Sequence, residues 1–119
     1  MNRLIAHIRL LRPLNLFTSA LAVLLSSLIV HYRGPVEITI LVTFVVISFN
    51  AAANAFNDYI DYEVDKINRP LRPLSLGLVS RESALFLTLI LFGIGSIAVL
   101  ELNKTAQLIA FGFALPLMI

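Results

Sequence analysis

The chain has no cysteine and little charge. The missing cysteine excludes disulfides, zinc–thiolate centres and thiol catalysis. Histidine is nearly absent too, and His7 and His31 are too far apart to suggest a histidine metal site. Only 13% of the 119 residues are Asp, Glu, Lys or Arg, against about 25% in a soluble domain. What fills their place is apolar: 59% of residues are hydrophobic and the mean hydropathy is +0.92. The charges also cluster in short blocks between long apolar runs, which is the pattern of an integral membrane protein. A formal net charge of +2 then reports orientation in a bilayer, not affinity for nucleic acid, because the basic residues flank the apolar segments.

The expected architecture is all-α: a multi-span helical bundle forming a single membrane domain. Residues 1–12, interrupted by Arg3, Arg9 and Arg12, do not suit a cleavable signal peptide. They are expected to form an interfacial amphipathic helix with Ile5, Ile8 and Leu11 toward lipid. Four spans are predicted, over 13–30, 38–56, 83–102 and 105–119. Pro13 suits a first helical turn, and Ser80 suits an N-cap with Glu82 in the following turn. The fourth stretch falls short of the roughly 20 residues that a spanning helix needs. The chain is therefore expected to be a truncated piece of a larger bundle. Of the nine Lys and Arg residues, Arg3, Arg9, Arg12, Lys66, Arg69, Arg72 and Arg81 fall on one side. That asymmetry puts the N-terminus and the 57–82 connection in the cytoplasm of a cell-membrane protein. Asn15 and Thr18 suggest helix–helix hydrogen bonds, and Tyr59 and Tyr62 suggest interface anchors.

The connection after the second span is the only extended polar stretch, and long loops in compact proteins are often functional. On a continuous helix Asn50, Asn54, Asn57, Asp58, Asp61 and Asp65 share one stripe about 100° wide, with Glu63 opposite. Carboxylates aligned in this way repel one another unless a cation lies between them. Hard divalent cations choose carboxylate and phosphate oxygens. The expectation is a Mg²⁺ site at Asp58, Asp61 and Asp65 that holds a diphosphate. Asn54 and Asn57 would offer neutral oxygens or amide donors, and Lys66, Arg69 and Arg72 would offset phosphate charge. For a site at the end of a membrane helix, a polyprenyl diphosphate is the natural substrate. The plainer alternative, solvated acids at a membrane boundary, explains one aspartate well and six aligned polar groups poorly. Pro70 and Pro73 are expected to end the helix.

Asn57-Asp58-x-x-Asp61-x-x-x-Asp65 resembles the NDxxDxxxD signature of the UbiA-type intramembrane prenyltransferases. The segment Lys66-Ile67-Asn68-Arg69-Pro70-Leu71-Arg72-Pro73-Leu74 resembles its continuation, and Arg12-Pro13-Leu14-Asn15 the start of the family's first membrane helix. By motif the likeness covers residues 12–77, and it is most similar to an archaeal branch that makes an ether-lipid precursor. The resemblance implies a fold of about nine helices, of which four spans are present here. It further implies Mg²⁺, two aspartate-rich motifs, and transfer of a prenyl group, such as geranylgeranyl, from its diphosphate. The acceptor would be a lipid or aromatic molecule, as in ether-lipid or quinone synthesis. Asp58, Asp61 and Asp65 match the aspartates of the first motif. Two departures stand out. Ser75-Leu76-Gly77 replaces the usual Pro-Ser-Gly, and no second aspartate-rich motif occurs, Glu101 being the only acid after Glu82. The chain alone is accordingly expected to be inactive and to need a C-terminal half. A small four-helix dimeric transporter is the rival reading. It would need an ionisable group deep in a span, and 14–30 and 38–56 contain none.

Overall fold

The computed structural model describes residues 2–118, apart from the side chains of Leu115 and Met118. Residues 1 and 119, the outer ends of two predicted segments, lie outside the described residues. The described chain is entirely helical: α1 (Arg3–Leu10), α2 (Pro13–Ile29), α3 (Val36–Ile60), α4 (Tyr62–Asn68), α5 (Arg81–Val99) and α6 (Lys104–Ile109). A π-helical turn (Ala110–Ala114) and α7 (Leu115–Met118) follow. The long axis of 47 Å is close to the roughly 40–45 Å of a bilayer with its headgroups.

Two helices, α3 and α5, are each long and apolar enough to cross a membrane. A third span exists if α1 and α2, which meet at a 42° bend, are counted as one. Four separate spans were expected, and the difference lies at the end of the chain. Over the predicted 105–119 span the helical run is continuous from Lys104 to Met118 with a π-helical turn at its middle, and the described run is shorter than the roughly 20 residues of a spanning helix. The second span is longer than expected. It starts at Val36 and continues to Ile60, which carries Asn57 and Asp58 inside the helix.

The remaining boundaries follow local chemistry. Pro13 occupies the first turn of α2, where its missing N–H breaks no helical bond. The Ser80 hydroxyl accepts from Ser83 N–H at 3.1 Å and caps α5, with Glu82 in its first turn. Arg69, next to Pro70, leaves the helical region (φ −139°, ψ 63°) and ends α4. Gly77 takes φ +74° in the loop, a backbone state that costs glycine little.

Helix α3 is the centre of the bundle, with α2 and α5 packed along it. One core cluster joins Ala6 and Leu10 of α1 to Ala55, Leu74, Val79 and Ala84. A second joins Val45 and Phe49 to Ala98 and Val99. Leu11, expected to face lipid, packs against the first cluster, whereas Ile5 and Ile8 are exposed as expected. Much large apolar surface remains outside: Leu14 is 77%, Leu28 69% and Phe86 66% exposed. A water-soluble monomer rarely shows so much contiguous apolar surface, and a lipid environment accounts for it. Thr18, assigned above to helix–helix bonding, instead donates to Leu14 C=O one turn back in its own helix. The bond between helices is made by Asn50, whose amide donates to the Ser19 hydroxyl.

Gly95 lets α5 approach α3 closely, because a Cβ there would lie 2.7 Å from the Phe49 ring. Gly93 has open space at the same position. Gly95→Ala is expected to destabilise the bundle by about 1–3 kcal/mol through overpacking. Gly93→Ala is expected to be neutral or stabilising by up to about 1 kcal/mol. Thermal unfolding of the detergent-solubilised chain, followed by circular dichroism, checks the pair.

Candidate functional site

The aspartate stripe does not form one straight face. Helix α3 stops at Ile60, and Asp61 (φ −85°, ψ 12°) separates it from α4. Backbone bonds from Asp61 N–H to Asn57 C=O (2.9 Å) and from Asp65 N–H to Asp61 C=O (2.7 Å) keep the break to one residue. Asp58 and Asp65 are buried, 3% and 5% exposed, while Asp61 is exposed and makes no ion pair among the described residues. The offset keeps three like charges from crowding one surface.

Burial of two carboxylates demands compensation, and arginines from two other segments supply it. Arg72, in the 69–80 connection, places one guanidinium nitrogen, Nη1, 2.6 Å from Asp58 Oδ1 and 3.0 Å from Asp65 Oδ2. Arg12 donates to the same Asp58 oxygen at 2.7 Å. Arg12 was read from the sequence only as an orientation signal and a family position, so its place beside Asp58 was missed. The available signal was its place in Arg12-Pro13, just ahead of a helix start. It sits between α1 and α2 with φ +56°, a left-handed state that costs a side-chain-bearing residue about 1–2 kcal/mol. The same break is braced by Asn54, whose amide donates to Leu11 C=O at 2.9 Å. Asn54, predicted to contact substrate, thus holds the α1–α2 junction.

The other predicted residues divide. Arg69 and Arg72 line an open cavity of about 640 Å³ together with Arg9, Arg12, Asp58, Asn68 and Pro70. Four guanidinium groups against one carboxylate make this cavity strongly cationic, suited to a multiply charged anion. Lys66 is not part of it. Its ammonium lies over the Tyr62 ring at 4.2 Å and 3.6 Å from Glu63. The hydrogen bond to Tyr62, with help from Glu63, holds its pKa above the ordinary lysine value. Asn57 is exposed and does not line the cavity. Tyr59 and Tyr62 do more than anchor an interface: both pack on the core, and Arg81 stacks over their rings at 4.5 and 5.2 Å.

Among the described residues no three Asp, Glu, His or Cys side chains converge as a metal cluster. Asp58 and Asp65 come together and Asp61 stands apart. Yet a cationic atom already lies between the first two, touching one oxygen of each. A donor set of carboxylate oxygens on two sides of one positive centre fits a hard divalent cation.

The fold and the site define an all-helical membrane protein with a cationic cavity at one end of its bundle. The chain belongs to the UbiA prenyltransferase family, whose model matches residues 16–119. It is similar to digeranylgeranylglyceryl phosphate synthase of Pyrococcus furiosus, 39% identical over 104 residues that cover 87% of this chain. The corresponding enzyme of Thermococcus onnurineus is 41% identical over 91 residues. These matches cover 76% of this chain in the second case, and 38% and 33% of the two relatives' own lengths. A solved structure described as digeranylgeranylglyceryl phosphate synthase in membranes superposes with a TM-score of 0.89 at 33% identity. That match covers 99% of this chain and 43% of the other. The chain thus spans less than half the length of these relatives.

Arg12 tests the junction. Arg12→Ala loses the Asp58 ion pair and keeps the left-handed backbone, so it is expected to cost about 1–3 kcal/mol. Arg12→Gly loses the same pair but relieves the backbone, and is expected to be the milder change in thermal unfolding.

Proposed function

We propose that the protein containing this chain transfers a prenyl group from its diphosphate to an acceptor inside the membrane, with Mg²⁺ as cofactor. The observation that carries the reading is the cavity of four arginines around Asp58, opening where lipid-facing helices end. A diphosphate is the multiply charged headgroup such a cavity suits, and an isoprenoid tail needs the apolar surface beside it. An apolar groove of about 590 Å³ runs between α2 and α3 from Ser19 and Asn50 to Val30 and Ile38. Its volume falls within the range of about 300–1,000 Å³ common for small-molecule sites. The relatives' name supports geranylgeranyl as the group transferred and a glyceryl phosphate lipid as the acceptor.

Asp58 and Asp65 would hold the cation, with Asp61 as the third carboxylate and Asn57 beside it. Bound there, Mg²⁺ would stabilise negative charge on the departing diphosphate. Arg9, Arg12, Arg69 and Arg72 orient the diphosphate and neutralise its oxygens as the allylic C–O bond breaks. The acceptor hydroxyl then forms the new C–O bond at the allylic carbon and loses its proton. Lipid-facing walls keep water from competing for that carbon. The cavity is lined by Arg9, Arg12, Arg69 and Arg72, four of the basic residues that fall on one side of the chain, which supports a cytoplasmic site under the positive-inside rule. The full site draws on the length of chain that the relatives have and this chain does not span.

Asp61 separates chemistry from stability, since it is exposed and unpaired. In the full-length protein, Asp61→Asn is expected to reduce prenyl transfer by about 10²-fold or more without lowering the unfolding temperature. Lys66→Ala, which alters a side chain directed away from the cavity, is expected to stay within about twofold of wild type. Transfer of a radiolabelled prenyl group into extractable lipid reads both. Loss of activity in Lys66→Ala but not in Asp61→Asn would overturn the assignment.

A further inference from the structure

We propose that Arg72 is a displaceable cation: its guanidinium holds the position between Asp58 and Asp65 until a divalent cation expels it into the arginine-lined cavity. The inference rests on the reading of a Mg²⁺-dependent diphosphate site. It starts from the unusual economy of the contact, in which one nitrogen serves two buried carboxylates at 2.6 and 3.0 Å. A divalent cation meets the same oxygens with twice the charge and at roughly 2.0–2.1 Å. Both cations cannot remain there, because like charges at such a distance repel strongly in a poorly hydrated site.

Arg72 has somewhere to go. Its side chain already lines the cavity shared by Arg9, Arg12 and Arg69. The movement belongs to the side chain: neighbouring Leu71 is 80% exposed, while Pro73 and Leu74 are buried and the Arg72 C=O accepts from Leu76 N–H at 2.9 Å, so the backbone stays in place. Arg12 differs, because it is tied to the α1–α2 junction and keeps its hold on Asp58. Once released, Arg72 would lose its carboxylate partners, and its charge would be open to an anion in the cavity it already lines. That raises the cavity's attraction for an anion at the moment the cation is in place. The order of binding is then cation first and diphosphate second. Monovalent cations fail as displacers, since they bring no more charge than the guanidinium and lose its hydrogen bonds.

The absence of native cysteine allows a single spin label at Leu71→Cys. In the full chain in lipid nanodiscs, without diphosphate, MgCl₂ is expected to change the label's mobility and NaCl of equal ionic strength is not. Mn²⁺ binding, read by electron paramagnetic resonance, is expected to be about tenfold tighter in Arg72→Gln, where the competing cation is gone. Inorganic pyrophosphate, titrated at saturating Mn²⁺, is expected to bind that variant about tenfold more weakly. Arg72→Lys keeps a charge and is expected to fall between, with circular dichroism confirming native helicity. A label that ignores Mg²⁺ overturns the proposal. So does Mn²⁺ binding that is unchanged or weaker in Arg72→Gln, while Asp61-dependent prenyl transfer would leave the enzymatic reading standing. Absence of Mn²⁺ binding in wild type and variant alike overturns both.

Discussion

Two carboxylates buried at the end of a membrane helix must have cations beside them, and most of the structure's basic end follows from that need. Asp58 and Asp65 lie too far from water to be neutralised by solvent. Arg12 must therefore come from the α1–α2 junction and Arg72 from the 69–80 connection. Each arginine ties a separate segment to the end of α3. Arg81 adds a third tie, donating to Tyr59 C=O at 3.1 Å while lying over two tyrosine rings. The ion pairs are weak evidence for stability by themselves, since desolvation offsets much of their attraction. Their main effect is geometric: they define where the loops sit.

That geometry leaves positive charge in surplus. Four arginines line the cavity, Arg12 and Arg72 paired with Asp58 and Asp65, and this concentration of positive charge is one that an anion would ease. Strain of a second kind is stored at Arg12, whose left-handed backbone is held by its own ion pair and by the Asn54 brace. Proteins keep such features where a ligand repays them. Just along the same helices the surface becomes largely apolar, so a charged headgroup and a lipid tail would each find matching surroundings within one molecule. The proposed substrate, a prenyl diphosphate charged at one end and oily for the rest, would match that division.

Periodicity and capping chemistry made much of the fold legible. Pro13, Ser80 and Arg69-Pro70 marked helix ends correctly because each acts through its own backbone or a neighbour three residues away. The aspartates were singled out for the same local reason, since spacings of three, four and seven define a helix face, although the break at Asp61 interrupts that face. Other contacts were not legible from spacing along the chain. Lys66 looked like a phosphate ligand by proximity in sequence, but Glu63 and Tyr62 on its own helix hold it. Asn54 lay on the right stripe, yet its partner is Leu11, forty-three residues earlier. Arg12 carried no sign that its partner would be Asp58.

Sequence alone determined the class of protein, the helical segments and the membership of Asp58, Asp61 and Asp65 in one motif. These properties depend on apolar run length, helical period and residue type, all of which are local. Tertiary structure decided which carboxylates are buried, which cations neutralise them and which charged groups face the cavity. It singled out Asp61 as the exposed member of the motif and placed Arg12 and Arg72 on Asp58 from either side. The physical reason is the range of the forces involved. Helix propensity and capping act within one or two turns, whereas the cost of burying a charge is met by whichever cation the folded chain brings within hydrogen-bond distance, however far away in sequence.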